Sequence, residues 1–355
     1  MSFRAPLVFS DESVSRQMSR FPTSRYMGSK HAVLPFLHDQ LKGIEFKTVL
    51  DAFSGSGSVG YLLKCMGKSV TCNDFLNFAY HTANAAVANS QDLLCPEEVV
   101  ALLSPHPAPP RFIEETFAGL YYSDAENRVL DNLIANAREM QSPAKQSIAY
   151  AAIARACLRL RPRGIYTYTG IRYLGGRRDL TLSLEEHFRG AVKLFNEAVF
   201  NNGQPCHALN QDVFTIPAEQ HYDLVYFDPP YVSPHSDNDY TRRYHFVEGL
   251  TRYWEGLEIQ HETTTKKFRR LASAFDSKRT IHDAFSRLFE GYRDSIIVVS
   301  YSSNSIPNKE EMTELLGRYK TVAVHEQDHR YSFGTHGHKV GDNQNAVKEY
   351  LFIGK

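Results

Sequence analysis

Short apolar runs ending in or just before an acid punctuate this chain. Lys47-Thr-Val-Leu-Asp51 and Ser69-Val-Thr-Cys-Asn-Asp74 are two of them, and Pro205-Cys-His-Ala-Leu-Asn-Gln-Asp212 is a third. Tyr222-Asp-Leu-Val-Tyr-Phe227 stops immediately before Asp228. Such runs read as short buried strands. Between the first two, Ala52-Phe-Ser-Gly-Ser-Gly-Ser-Val-Gly60 is a glycine turn, and Tyr61-Leu-Leu-Lys-Cys-Met66 opens a helix. Strand, turn, helix and strand in this order are a unit of an α/β sheet. Residues 77–90 are rich in Ala and Asn and predict a helix.

The pattern then changes. Pro96, Pro105, Pro107, Pro109 and Pro110 mark a linker. Residues 112–160 read as helices, notably 124–140 and 143–160, and 183–201 returns to a helix. Strand signals resume at 205–212 and 222–227, then at Ser295-Ile-Ile-Val-Val-Ser-Tyr301, and 319–326 with 347–353 look like a closing pair. A smaller helical segment falls at 245–292. This divides the chain into a sheet domain, 21–94 with 203–355, and a helical insertion, 95–202. No internal repeat or low-complexity tract interrupts it.

Composition narrows the class. With 355 residues, 42% hydrophobic and 12% aromatic, the chain can bury the core of a catalytic domain plus an insertion. Five scattered cysteines without a Cys-x-x-Cys pair predict reduced thiols in a cytosol. No stretch reads as a secretory signal or a membrane span. Net charge is zero, which by itself speaks against nucleic acid, but the distribution does not. Arg155, Arg159, Arg161, Arg163, Arg172, Arg177 and Arg178 follow one another with no acid between them, interleaved with Tyr166, Tyr168 and Tyr173. An acid-free arginine run with aromatics predicts phosphate contact and base stacking. A second cluster, Lys266, Lys267, Arg269, Arg270, Lys278 and Arg279, fits such a partner or a solvated face equally.

The candidate chemistry sits at the ends of the apolar runs. Gly55-Ser-Gly57-Ser-Val-Gly60, after a strand and before a helix, suits a nucleotide-like cofactor, because small residues let backbone N–H groups approach it. The glycines alone do not separate a dinucleotide from S-adenosylmethionine. Asp74 can accept two ribose hydroxyls of either. Asp51 can meet an ammonium group, Phe53 can line the cofactor, and Asp212 can accept from its adenine amine. Asp228-Pro229-Pro230-Tyr231 offers a carboxylate, a carbonyl on a stiff backbone and a phenol ring, which suit a flat aromatic amine. Gly28-Ser-Lys30 lacks the first glycine and the strand of a P-loop. His325, His329, His336 and His338 read as part of a polar loop rather than a metal site. No metal site and no serine or cysteine nucleophile is expected.

These motifs together resemble the D12 class of DNA adenine-N6 methyltransferases. Arg25-Tyr26-Met27-Gly28-Ser29-Lys30, the Asp51–Gly57 loop, Asn73-Asp74, Asp228-Pro229-Pro230-Tyr231, Val298–Asn304 and Glu349-Tyr-Leu-Phe352 match that class in order. The resemblance covers about two thirds of the chain and spares the insertion. It implies a Rossmann-like mixed seven-stranded α/β sheet, with the helical insertion as the target-recognition domain. It also implies S-adenosylmethionine as cofactor, with Tyr26 and Lys30 touching its methionine part. The substrate would be an adenine flipped out of double-stranded DNA and clamped on Tyr231. DNA-contacting residues are expected among Arg159, Arg161, Arg163, Arg172, Arg177 and Arg178. A lid over 232–245 adds Asn238, Tyr240, Arg242 and Arg243. The expected protein is a prokaryotic or phage enzyme of the cytoplasm, a monomer or weak dimer, with a cognate restriction endonuclease as a partner. Three other readings stay open: a methyltransferase for an amine in RNA or protein, an idle DNA-binding relative, and an NAD-dependent enzyme.

Overall fold

The computed structural model describes residues 7–170, 180–217, 220–232, 239–330 and 346–355. Seven strands form one sheet in the order β3-β2-β1-β4-β5-β7-β6. They are β1 Thr48–Asp51, β2 Ser69–Asn73, β3 His207–Leu209, β4 Leu224–Phe227, β5 Ile296–Ser302, β6 Val322–Arg330 and β7 Ala346–Gly354. The first five pair in parallel, and β7 runs antiparallel between β5 and β6. The mixed seven-stranded expectation is met, including the closing antiparallel pair.

The central strand β4 is apolar and buried throughout because both faces are covered. Alternate side chains enter opposite cores. Val49, Leu224, Tyr226 and Val298 point into one, and Leu50, Val225, Phe227, Ile297 and Val299 into the other. The helices in chain order are α1 Glu12–Met18, α2 Leu34–Leu41, α3 Ser58–Cys65, α4 Asn77–Ala83, α5 Pro96–Leu103, α6 Phe112–Thr116, α7 Asp124–Arg138, α8 Pro143–Leu160, α9 Leu184–Ala198, α10 Tyr240–Arg252, α11 Ile281–Gly291 and α12 Lys309–Gly317. The second core lies under α11 and α12, through Ile281, Phe285, Leu288, Met312 and Leu316.

The helices of 95–202 share the first core with the sheet. Ala149, Ile153, Phe188 and Phe195 of α8 and α9 belong to the same cluster as Val49, Val70 and Leu62. Helix α8 is alanine-rich, so small side chains let its backbone come close to its neighbours, and most of its surface is buried. Helix α9 starts at a capping box in which Ser183 and Glu186 satisfy each other's backbone N–H groups. Helix α10 starts where Asp239 accepts from the Arg242 N–H at 2.8 Å.

Candidate active site

Going outward from β1, strand order runs β2, β3 on one side and β4, β5 on the other, so a crevice opens beyond the carboxyl ends of β1 and β4. Four aspartates stand at the ends of four adjacent parallel strands: Asp51 ends β1, Asp74 follows β2, Asp212 follows β3 and Asp228 follows β4. All four line one cleft of about 1100 Å³, open mouth included.

The glycine loop forms the floor. Gly55 has φ +49° and Gly57 φ +75°, the left-handed region that a side chain disfavours. The Gly55 N–H donates to Asp74 at 2.7 Å and the Leu76 N–H donates to its other oxygen at 2.8 Å. Burial pushes the Asp74 carboxyl up to about 6 against these two bonds. A Cβ on Gly55 would lie 3.1 Å from the Tyr26 ring, so Tyr26 sits directly over the loop. Its ring stacks on Tyr244 at 5.1 Å and 4°, with Tyr240 at 5.9 Å. The Tyr244 hydroxyl accepts from the Met27 N–H at 2.7 Å, and Arg25 donates to the carbonyls of Arg159 and Arg161 at 2.6 and 2.7 Å. The Arg25–Lys30 motif is thereby pinned between α8 and α10.

Asp51 is 1% exposed, and neither carboxylate oxygen has a hydrogen-bonded partner among the described residues. The Gly60 backbone N–H faces it and favours its charged form. Burial, followed by the charges of Asp228 and Asp74, holds its pKa well above the usual range. At the far end of the cleft three rings form an apolar wall. Phe214 and Phe275 lie parallel at 6.0 Å and 4°, with Phe53 edge-on to Phe275 at 5.0 Å. Asp212 stands beside them and accepts from the Phe214 N–H at 2.9 Å.

The catalytic tetrapeptide forms a polar cluster. Lys30, 6% exposed, places its ammonium 2.7 Å from Asp228 Oδ1 and 3.4 Å from Glu349 Oε1, and it also bonds the Tyr231 hydroxyl. Lys30 lines the cleft, but its charge is engaged by these carboxylates rather than aimed at the open space. The Tyr231 hydroxyl donates toward Asp228 Oδ1 at 3.2 Å and Glu349 Oε1 at 2.9 Å. The Tyr231 ring meets Tyr301 edge-on at 4.9 Å. Burial pushes the Asp228 carboxyl up to about 6; Lys30 opposes the shift and Glu349 adds to it.

The arginine run departs from expectation. Arg161 is fully buried, not a phosphate contact. It donates to the carbonyls of Ile165, Tyr168 and Gly170 at 3.4, 2.6 and 3.0 Å and lies against the rings of Tyr121, Tyr166 and Tyr168. Arg155 is buried too and donates to the Thr23 carbonyl at 3.1 Å. Carbonyl dipoles and ring faces take the place of an acid here, which is why an acid-free run did not require an external anion. Tyr166 is also buried, its hydroxyl 2.5 Å from that of Tyr122, so it cannot stack on a base. Arg163 and Arg242 are exposed, and Arg159 and Arg243 are half-buried. Arg172, Arg177, Arg178 and Tyr173 lie outside the described residues, as do Asn238, His336 and His338. Tyr240, Arg242 and Arg243 sit on α10 rather than in a loop, with Arg243 Nη1 2.9 Å from Met27 Sδ. In the second basic cluster, Arg269 pairs with Glu258, Arg270 with Asp276 and Asp239, and Lys266 donates to the Thr116 carbonyl. Among the described residues no group of His, Cys, Asp and Glu is placed to hold a metal. No helix there is long and apolar enough to cross a membrane, and the five cysteines are free.

Sequence reasoning did not foresee the stacking of Tyr240 and Tyr244 on Tyr26, the Phe214–Phe275 wall or the contacts of Glu349. Glu349 alone left a signal, a lone carboxylate heading the apolar run Tyr350-Leu-Phe-Ile353.

With this geometry in place, comparison with known proteins is decisive. The profile of the D12 class N6 adenine-specific DNA methyltransferases matches residues 26–315. The chain belongs to this family. This D12 methyltransferase is 30% identical over 351 residues to Type II methyltransferase M2.HphI of Haemophilus parahaemolyticus, covering 94% of this chain and 98% of that one. It is 21% identical to Type II methyltransferase M.NlaIII of Neisseria lactamica, over 92% of this chain and 98% of that one. Against modification methylase LlaI of Lactococcus lactis subsp. lactis it is 23% identical over 84% of this chain, and it spans 49% of that longer protein. The enzyme is therefore a site-specific DNA methyltransferase directed at adenine N6.

Proposed function

We propose that the cleft holds S-adenosylmethionine along the ends of β3, β2 and β1, and an extrahelical adenine at Asp228. The observation that carries this is the line of four strand-end aspartates around one cleft, with both oxygens of Asp51 buried and without a hydrogen-bonded partner among the described residues. An ammonium group satisfies Asp51, ribose hydroxyls suit Asp74, and a flat amine-bearing ring suits Asp212 beside the Phe53, Phe214 and Phe275 wall. When bound, the cofactor supplies a sulfonium methyl group that is already electrophilic.

The residues of the chain then act by positioning. Adenine N6 is a poor nucleophile because its lone pair is delocalised into the ring. Asp228 and the Pro229 carbonyl accept its two N–H groups and favour a pyramidal amine with its lone pair free. The Pro229-Pro230 backbone keeps that carbonyl in place. The Tyr231 hydroxyl is held at Asp228 Oδ1 and Glu349 Oε1, and its ring is the platform on which the extruded base stacks. N6 is inaccessible inside a stacked duplex, which makes extrusion of the base necessary. Asp228 is the acceptor for the proton shed once nitrogen is methylated.

Residues 95–202, built around the sheet's own core, are proposed as the target-recognition region. Arg159 and Arg163 are its candidate phosphate contacts, with Arg172, Arg177 and Arg178, and Arg242 and Arg243 of α10 join them. Reduced cysteines and bacterial relatives named as Type II enzymes support a cytosolic setting with a cognate endonuclease. A monomer or weak dimer is the proposed state, since one chain supplies every cleft residue named above. Incubation with radiolabelled S-adenosylmethionine and mixed-sequence DNA should place label in N6-methyladenine of the nucleoside digest. Label in cytosine, RNA or protein would overturn the proposal.

A further inference from the structure

Glu349 is a buried carboxylate in a strand that otherwise reads as core. Its backbone lies on β7 opposite Ser302 of β5, and Ser300, two residues away on the same face, donates to Oε1 at 2.7 Å. That same oxygen accepts from Tyr231 at 2.9 Å and lies 3.4 Å from the Lys30 ammonium. Lys30 is closer still to Asp228, at 2.7 Å. One ammonium is thus shared by two buried carboxylates, with a phenol bridging them. Burying two anions around one cation is costly, and an apolar side chain would fill the strand more favourably. Sheet stability alone gives no reason for a carboxylate here.

The contacts are directional. Among the described residues the contacts of Lys30 and Tyr231 with Asp228 both fall on Oδ1, so Oδ2 can take another donor. We propose that Glu349 is a positioning residue for methyl transfer: from β7 it fixes Lys30 and the Tyr231 hydroxyl on one oxygen of Asp228 and so aims the other at the substrate amine. The inference rests on Asp228 receiving that amine, as proposed above. Glu349 also acts electrostatically. Asp228 is faced by Lys30, Tyr231, Glu349 and Asp51, and by the phenols of Tyr26, Tyr226, Tyr240 and Tyr301. Burial keeps those four phenols and Asp51 protonated, so Lys30 and Glu349 set the field at Asp228.

The test is Glu349→Gln, which keeps shape and an acceptor oxygen but loses the charge. It should lower kcat about tenfold, leave cofactor affinity within about twofold, and move the acid limb of kcat/KM for DNA to lower pH. The direction follows because the amide neither repels the Asp228 charge nor competes for Lys30. An unchanged kcat, or a lower kcat with an unmoved acid limb, would overturn the proposal; the latter marks a merely structural role. If that variant does not fold, Ser300→Ala loosens Glu349 while keeping its charge. It should lower kcat about threefold at unchanged DNA affinity and pH profile, and a wild-type kcat would count against the proposal. Asp228→Ala run in parallel separates the two readings: if it stays active the amine site is elsewhere, and if it is dead while Glu349→Gln is unaffected only the role of Glu349 fails.

Discussion

Replacing Asp51 with asparagine should stabilise the free protein and weaken its hold on the cofactor. The free protein buries both carboxylate oxygens without a hydrogen-bonded partner among the described residues. Burial first, then the charges of Asp228 and Asp74, hold the pKa well above that of an ordinary aspartate. The folded state therefore keeps a proton that the unfolded chain loses. Stability contributed by this group falls by about 1.4 kcal/mol for each pH unit between the unfolded and the folded pKa. Asparagine does not ionise, so its advantage should be absent in acid, grow through that window, and level off above it. In a chain of this size each kcal/mol is worth about 1.3 °C in Tm, within reach of a thermal melt. The cofactor should reverse the order. A hydrogen bond to a charged group contributes roughly 1.5–3 kcal/mol, so losing it should weaken Kd about 10- to 100-fold. At a cofactor concentration 100 times the wild-type Kd, ligand stabilisation is about 2.7 kcal/mol for the wild type, and it should drop to roughly 0.4–1.4 kcal/mol for the variant. Melts with and without S-adenosylmethionine across a pH series, with calorimetric titration for Kd, measure both halves. A variant that melts below the wild type at neutral pH, or one that the cofactor stabilises as much as the wild type, would refute the reasoning.

Other substitutions probe separate parts of the site. Arg161→Ala should cost about 2–4 kcal/mol of stability, seen in denaturant melts, because three carbonyls lose a charged donor in a buried setting. Its DNA-binding salt slope should stay as in the wild type. Arg163→Ala, at an exposed arginine, should leave the melt unchanged and flatten the salt dependence of DNA binding by about one unit of slope, read by fluorescence anisotropy. Gly55→Ala puts a side chain at φ +49° and 3.1 Å from Tyr26, so cofactor Kd should weaken about tenfold with little change in DNA affinity. At saturating cofactor, kcat/KM for DNA should fall as pH drops through about 6, because Asp228 accepts from the amine only when ionised.

Much of the fold was legible because it is written in local periodicity. Apolar runs bounded by turns mark strands wherever they fall, and glycines at positive φ are needed by the loop itself. The four strand-end aspartates are legible for the same reason: each is adjacent in sequence to the strand that presents it. Arg161 shows the limit. Seven arginines without an acid looked like an anion-seeking surface, yet the first turns inward to the Thr23 carbonyl and the third to carbonyls and aromatic rings supplied by the turn after α8 and by Tyr121. No pattern along the chain reports which way an arginine at a helix end will point.

Sequence alone settled the class of fold, the order of the motifs and the carboxylates of the cleft, since these depend on residues close together along the chain. Tertiary structure decided which arginines face water, that Tyr26 is walled by Tyr240 and Tyr244, and that Lys30, Asp228, Tyr231 and Glu349 meet. Lys30 and Glu349 are brought together only because β7 folds back beside β5, which places a carboxylate from the end of the chain against an ammonium from its beginning.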